Sequence, residues 1–328
     1  MFQPNELKKE FPMQVANAGL STTTKVWETL VAANNCNLVK IKKLVEECPG
    51  LIYAQYNYTP PVYFAVREGH AELVNYFLNH GALDPTYKTY PFQDTFLTMA
   101  QDREYNDIAL MLEQYASNPA LHKFKGDNGQ IDYKRTELQQ EFEKTVDQGD
   151  LSKTEKILKE HPEFALDETY FWGEGILLFA AKENNRPMID LLMSYGARVP
   201  AILKWAQFYY FERLDGATYM MQKGMNPNTM SWHGVTILHD MAQKGNLDKA
   251  ALLIKHGADI NAVDEEYRST PLGMAARWGQ TEMAEYLLKQ GADTNKAGSV
   301  WSTPLAWARK KGHESVERIL LNAGAEEI

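Results

Sequence analysis

A segment that recurs three times in the last third of the chain constrains the fold more than any other feature. Its copies open at Thr236–His239, Thr270–Leu272 and Thr303–Leu305, with openings 34 and 33 residues apart. Each copy continues through a glycine and an apolar triplet to a Gly-Ala pair. One such unit cannot bury its apolar face alone, so the repeat predicts units stacked on one another.

Each copy is typical of a helix, a tight turn and a second helix. In the second and third copies, a proline directly after the opening threonine suits a helix start, where its missing N–H costs no hydrogen bond. The two glycines of each copy suit the turn between the helices and the left-handed residue after the second helix. These glycines are Gly245, Gly257, Gly279, Gly291, Gly312 and Gly324. The pattern predicts a helical repeat protein.

The complete pattern, Thr-Pro-Leu-x-x-Ala followed by Leu-Leu-x-x-Gly-Ala-Asp-x-Asn, resembles the ankyrin repeat. Gly257–Asn261 and Gly291–Asn295 match the end of that repeat closely. The resemblance implies an all-α, ankyrin-repeat solenoid of stacked helix-turn-helix units with β-hairpin fingers.

Weaker copies extend the register toward the N-terminus and give nine repeat-like units in all. We expect an N-terminal capping segment at 1–26 and repeats 1–3 at 27–115. An inserted loop or hairpin follows at 116–139, and repeats 4–9 occupy 140–328. This division predicts one continuous solenoid.

Composition narrows the function classes. The 328 residues carry 34 Lys+Arg against 43 Asp+Glu, a net charge of −9, which disfavours nucleic acid as a partner. No apolar run is long enough for a membrane span, and the start has no signal-peptide core. Cys36 and Cys48 fall at opposite ends of one predicted helix, ~18 Å apart, too far for a disulfide. We therefore expect a cytoplasmic monomer.

Catalytic signatures are missing from the sequence. Most histidines occupy repeat positions, where a structural role in the turn or beside the opening threonine is expected. No pair has metal-ligand spacing, and there is no phosphate-binding glycine loop or nucleophile elbow. We expect a non-enzymatic protein with no catalytic residue, metal or cofactor.

The resemblance also implies where binding occurs, because ankyrin fingertips and inner helices line a concave groove. Aromatic residues recur at the fingertip positions of this chain, and such residues are enriched at interface hot spots. The predicted binding residues are Tyr56, Arg67, Glu68, Tyr90, Asp102, Phe171, Trp172, Tyr210, Trp232, His233, Tyr267, Arg277 and Trp278.

Two functions remain open at this point. The first is a protein-protein interaction module that binds a polypeptide partner in an aromatic-rich concave groove. The alternative is a small-ligand or glycan-binding protein, or an enzyme, that uses the same groove and the insertion at 116–136, with Asp127 or Asp132 turned inward. A structural interpretation stands beside both: each aromatic ring could lie against the neighbouring finger and complete the core.

Overall fold

The computed structural model describes residues 1–15, 19–89, 92–124, 129–204 and 209–327. The chain divides into two compact units. The smaller unit is Leu7–Lys134, and the larger unit joins Met1–Glu6 to Arg135–Ile328.

In the described part of the smaller unit, three helix pairs follow the predicted repeats. The pairs are Thr23–Asn34 with Leu38–Glu47, Pro61–Arg67 with Ala71–Asn79, and Phe96–Asp102 with Asn106–Ala116. Short 3-10 helices lie at Pro49–Tyr53 and Pro119–Leu121, and a four-residue helix, Asn5–Lys8, lies near the start of the chain.

A three-stranded antiparallel sheet joins the predicted capping segment to the predicted insertion. Strand β1 (Pro12–Val15) lies between β2 (Gly19–Thr22) and β3 (Gln130–Ile131). Met13 of β1 is opposite both Ser21 and Ile131. The insertion thus supplies an edge strand to the sheet that begins the smaller unit.

Within its described residues, the larger unit contains five helix pairs and one further helix. They are Glu137–Asp147 with Leu151–Glu160, Leu178–Lys182 with Arg186–Ser194, Leu214–Gln222, Ile237–Lys244 with Leu247–Lys255, Pro271–Arg277 with Thr281–Lys289, and Pro304–Lys311 with Glu314–Asn322. Short 3-10 helices lie at Pro162–Leu166 and Val300–Ser302, a four-residue turn at Tyr170–Gly173, and β4 (Ile202–Leu203) pairs in parallel with β5 (Met230–Ser231).

The helix cap, turn glycine and small buried residues of the repeats adopt the roles that the sequence predicts. The Thr303 hydroxyl accepts a hydrogen bond from Ala306 N at 3.2 Å and caps the helix that begins at Pro304. Gly312 ends that helix with φ +72°, a conformation in which a side chain would be strained. The first helix of each pair is the inner helix. Ala275 and Ala276, on the inner helix Pro271–Arg277, are small and fully buried, which lets neighbouring repeats approach closely.

The fingers differ from the predicted β-hairpins. In the described residues they are mostly turns, with isolated bridges at Tyr56–Thr59 and Met230–Thr236 and the two-residue strand β5 beside Trp232. Side chains add to the few backbone hydrogen bonds of these turns: the Asp264 carboxylate accepts from Tyr267 N at 2.6 Å and from Ser269 N at 3.0 Å, beside a bond from Asp264 N to Ser269 O. A buried carboxylate that holds several backbone amides fixes a turn without strand pairing.

Candidate functional site

The predicted binding residues belong to both units. Tyr56, Arg67, Glu68 and Asp102 lie in the smaller unit, and Tyr90 lies outside the described residues. The other eight lie in the larger unit.

In the smaller unit, the predicted residues are built into the structure. Tyr56, Arg67 and Asp102 are 1%, 4% and 5% exposed. Arg67 donates to Asn34 Oδ1 at 2.8 Å and to the half-buried Glu68 carboxylate at 2.7 Å. Its guanidinium also lies 5.0 Å from the Phe64 ring centre. These contacts tie neighbouring repeats together and leave little of Arg67 for a partner.

Most of the predicted aromatic binding residues of the larger unit are core residues. Their exposed fractions are 5% for Phe171, 1% for Tyr210, 1% for Trp232, 6% for His233 and 2% for Tyr267. The Tyr210 hydroxyl donates to Glu174 O at 2.8 Å, and burial raises its pKa well above the usual value. The expectation that these rings face a partner is therefore corrected: they pack inside the repeats.

Trp172 is the exception, because its side chain is 60% exposed. It lies in the turn Tyr170–Gly173, where Phe171 and Trp172 have φ of +48° and +61°. Left-handed backbone at bulky residues costs of order 1–3 kcal/mol each and persists only where the surroundings impose it. This finger therefore holds an indole in solvent at an energetic cost.

Several contacts hold the Tyr170–Gly173 finger. The Arg135 guanidinium lies 4.0 Å from the Tyr170 ring centre. Phe171 N donates to Glu143 Oε1 at 2.8 Å. The Phe171 ring packs edge-on against Phe179, with centroids 4.7 Å apart. Burial raises the pKa of Tyr170, so its hydroxyl stays protonated at neutral pH.

An aromatic patch continues from Trp172 along the inner-helix side. Trp172 meets Phe179 at 6.2 Å between centroids. The Lys182 ammonium lies 5.9 Å from the Phe179 ring centre and 5.8 Å from that of Tyr209. Phe179, Lys182 and Tyr209 are half-buried. We call Trp172, Phe179, Lys182 and Tyr209 the Trp172 patch; it offers π surface beside a positive charge.

A second aromatic group surrounds Arg277. Its guanidinium carbon lies 4.6 Å from the ring centres of Tyr267, Trp278 and Trp307. Arg277 is 6% exposed and Trp307 is fully buried, whereas Trp278 is half-buried. The predicted site residues Tyr267, Arg277 and Trp278 are therefore brought together, mainly as a packed cation–π cluster.

A buried carboxylate lies on the inner helix Ile237–Lys244. Asp240 is fully buried, and the Lys244 ammonium donates to its Oδ2 at 2.8 Å. Burial raises the pKa of Asp240, and Lys244 opposes that shift. Burial, with the Lys244 charge, also lowers the pKa of Lys249. The group is a local charge network within one repeat.

The structural role expected for the repeat histidines is confirmed at three positions. His239 Nδ1 accepts from Thr236 N at 3.2 Å, and its Nε2 donates to Ser269 O at 3.0 Å. His70 and His313 make the corresponding contacts to Asn34 O and Arg277 O, at 2.8 and 3.1 Å. Each ring joins one repeat to its neighbour. In the described part of the chain, no cluster of three His, Cys, Asp or Glu side chains could hold a metal ion.

Comparison with known proteins adds to this geometry. A family model for ankyrin repeats, of three copies, matches residues 203–298 and 238–327. Residues 203–327 of this chain are ankyrin repeats. The three matched copies are fewer than the nine units counted from the sequence. Ankyrin repeats indicate a protein-interaction module, and across the described residues no helix is long and apolar enough to cross a membrane.

Similar proteins are much longer. The ARF GTPase-activating protein Git of Drosophila melanogaster is 40% identical over 86 residues, which cover 26% of this chain and 12% of that protein. The human transient receptor potential cation channel subfamily A member 1 is 22% identical over 314 residues, or 81% of this chain and 27% of the channel. The chain spans well under a third of either relative.

Sequence reasoning missed Phe179 as part of the exposed patch. Phe179 lies three residues before Lys182 on the same helix, so the helical period places both on one face. The three-residue spacing between Phe179 and Lys182 is the sequence signal that identifies Phe179 as part of this face. The short segment at residues 2–6 carries no repeat or periodic signal, yet it lies against the fingers of the larger unit.

Proposed function

We propose that this protein is a non-enzymatic interaction module that binds a polypeptide segment of a partner protein at the Trp172 patch. The observation that carries the proposal is the 60% exposure of an indole on a strained, firmly anchored finger. Tryptophan, tyrosine and cationic side chains dominate interface hot spots. A strained backbone that keeps such a side chain in water points to a use for it.

The chemistry of the patch suits a peptide. Trp172, Phe179 and Tyr209 offer ring faces for apolar or proline side chains, and Lys182 can pair with a carboxylate at the edge. Nucleic acid is disfavoured as a partner by the net charge of −9. We propose a cytoplasmic, monomeric protein, in keeping with the free thiols of Cys36 and Cys48.

Selection from a displayed random-peptide library tests this function. Peptides enriched on the wild-type protein should bind at least ~10-fold more weakly to Trp172→Ala, because hot-spot residues are worth upward of ~1.4 kcal/mol. The matched control is Leu166→Ala in the same unit, since Leu166 is 61% exposed and lies outside the patch. If the selected peptides bind wild type, Trp172→Ala and Leu166→Ala equally, the Trp172 patch is not their binding site.

One observation favours the small-ligand alternative. The smaller unit has a mainly apolar cleft of about 400 Å³ beside the helix Asn106–Ala116. Its lining includes Leu83, Tyr87, Phe96 and Leu112. This lining suits an apolar molecule better than a glycan. Asp132 is expected to turn inward, but its side chain is exposed and accepts a hydrogen bond from Lys134 N at 3.0 Å. Asp127 lies outside the described residues. Titration of a fluorescent fatty acid into wild type and Leu97→Glu, a substitution at a half-buried residue of the same lining, separates the alternatives; binding lost in a folded variant supports a ligand cleft.

A further inference from the structure

The first residues of the chain lie against the fingers of the larger unit. Phe2 N donates to Trp232 O at 3.1 Å. A Cβ added to Gly234 would lie 3.2 Å from the Phe2 ring. The Phe2 side chain itself remains 39% exposed. One backbone hydrogen bond and one ring contact thus dock Phe2 on the finger at Trp232–Gly234.

Glu6 makes the second anchor. It is 2% exposed, and its carboxylate forms an ion pair with the Lys204 ammonium. A Cβ added to Gly173 would overlap that carboxylate, and Gly173 has φ +83°. The finger therefore needs glycine both for its backbone and for the space that Glu6 fills. A buried carboxylate must be paired to be tolerated, so this is a specific pocket for an acidic side chain.

The residues between the anchors complete the contact. Pro4 is buried, and Asn5 Nδ2 donates to the Glu168 carboxylate. Five residues, Phe2 to Glu6, thereby reach from the finger at Trp232–Gly234 to the finger at Tyr170–Gly173. We call the surface that they cover the finger rim: Glu168, Gly173, Lys204, Trp232 and Gly234.

We propose that the finger rim is a peptide-binding surface, and that residues 2–6 occupy it in cis as an internal competitor. The occupant in trans is a partner segment with the same chemistry: an aromatic residue, a proline two residues later and a carboxylate two residues after that. Recognition combines a main-chain hydrogen bond with a side-chain pocket, as peptide-binding surfaces generally do. The inference rests on the proposed function, since Gly173 directly follows Trp172 on one finger.

Because residues 2–6 occupy the finger rim in cis, a partner segment must bind tightly enough to displace them. A tethered segment acts at an effective concentration of order millimolar, so it displaces weak ligands and yields to tighter ones. Deleting or repelling the segment should therefore expose a site that the intact chain hides.

The test uses a variant lacking residues 1–6 and the acetylated, amidated peptide Phe-Gln-Pro-Asn-Glu-Leu. Indole N–H signals are followed by NMR, with the Trp232 signal assigned through Trp232→Phe. The peptide should shift that signal in the truncated variant at millimolar concentration and leave the wild type unchanged. A peptide with Lys in place of Glu should bind at least ~10-fold more weakly. Lys204→Glu in the truncated variant should reverse that preference.

A full-length variant guards against a truncated chain that fails to fold. In Glu6→Lys two cations meet in the Lys204 pocket, so the tethered segment should leave and the Phe-Gln-Pro-Asn-Glu-Leu peptide should bind. A folded variant whose indole signals do not move with the peptide overturns the proposal, as does an equal shift in the wild type. Loss of library-peptide binding in Trp172→Ala would still support the Trp172 patch in that case, so the two failures are distinguishable.

Discussion

The guanidinium of Arg277 lies 4.6 Å from the ring centre of Trp307, which belongs to the next inner helix. Tyr267 and Trp278 lie at the same distance from it. The cation is thus enclosed by rings from two successive repeats. Stability in a repeat protein is carried by such nearest-neighbour interfaces.

Arg277→Ala should therefore lower the free energy of unfolding by about 2 kcal/mol, the scale of a desolvated cation–π contact. Urea denaturation measures the change. The control is Lys310→Ala, because Lys310 is exposed and lies 5.7 Å from the same Trp307 ring. We expect a change within ~0.5 kcal/mol for the control. Equal losses in the two variants would contradict a specific role for the enclosed guanidinium.

Gly173→Ala tests the packing of Glu6 against its finger. The alanine suffers left-handed strain and a clash with the Glu6 carboxylate, whereas Gly224→Ala suffers strain alone, since nothing lies within 4 Å of a Cβ there. The Gly173 variant should be at least ~1 kcal/mol less stable than the Gly224 variant. Adding Glu6→Ala to Gly173→Ala should recover part of that difference. Thermal unfolding of wild type, Gly173→Ala, Gly224→Ala and the double variant measures these differences. If Glu6→Ala restores none of the stability lost in Gly173→Ala, the Glu6 carboxylate does not pack against Gly173.

His239→Asn should show a defined pH dependence. Burial lowers the pKa of His239, and its Nδ1 must stay unprotonated to accept from Thr236 N. Below the unfolded pKa of ~6.5 the unfolded chain binds the proton first, so the stability that His239 contributes falls as pH falls. We expect wild type to exceed the variant by ~1–2 kcal/mol above pH 7 and the gap to narrow toward pH 5. Denaturant titrations at several pH values measure the gap; a constant gap would contradict this reasoning.

Trp172→Gly and Trp172→Ala separate strain from function. Both remove the indole, but only glycine relieves the φ of +61°. The glycine variant should therefore be about 1 kcal/mol more stable than the alanine variant. Both should lose the binding of library peptides to the same extent. Chemical denaturation and fluorescence anisotropy give the two readings, and equal stability would mean that the finger relaxes without cost.

The repeat register predicted the helices well because periodic apolar positions and turn glycines are local signals. Thr270, Pro271 and Gly279 behave as their sequence suggests, since a helix cap and a left-handed turn need only near neighbours. The conformation of the fingers is harder to predict from the sequence. Asp264 stabilises its turn by accepting two backbone N–H bonds, which no alternating strand pattern reveals.

The candidate site was predicted only in part, because exposure depends on partners distant in sequence. Trp172 and Trp232 occupy equivalent fingertip positions, yet one is 60% and the other 1% exposed. The exposed indole lies on the left-handed turn at Phe171–Trp172, whereas Trp232 O accepts a hydrogen bond from Phe2 N, 230 residues away. Neither feature is visible in the residues around each tryptophan.

The most direct test of binding at the Trp172 patch is the ratio of dissociation constants of one library-selected peptide for wild type and Trp172→Ala, with Leu166→Ala as control. Fluorescence anisotropy of the labelled peptide supplies all three constants. The Trp172 patch predicts at least ~10-fold weaker binding to Trp172→Ala and an unchanged constant for Leu166→Ala. Equal constants for wild type and Trp172→Ala would contradict it.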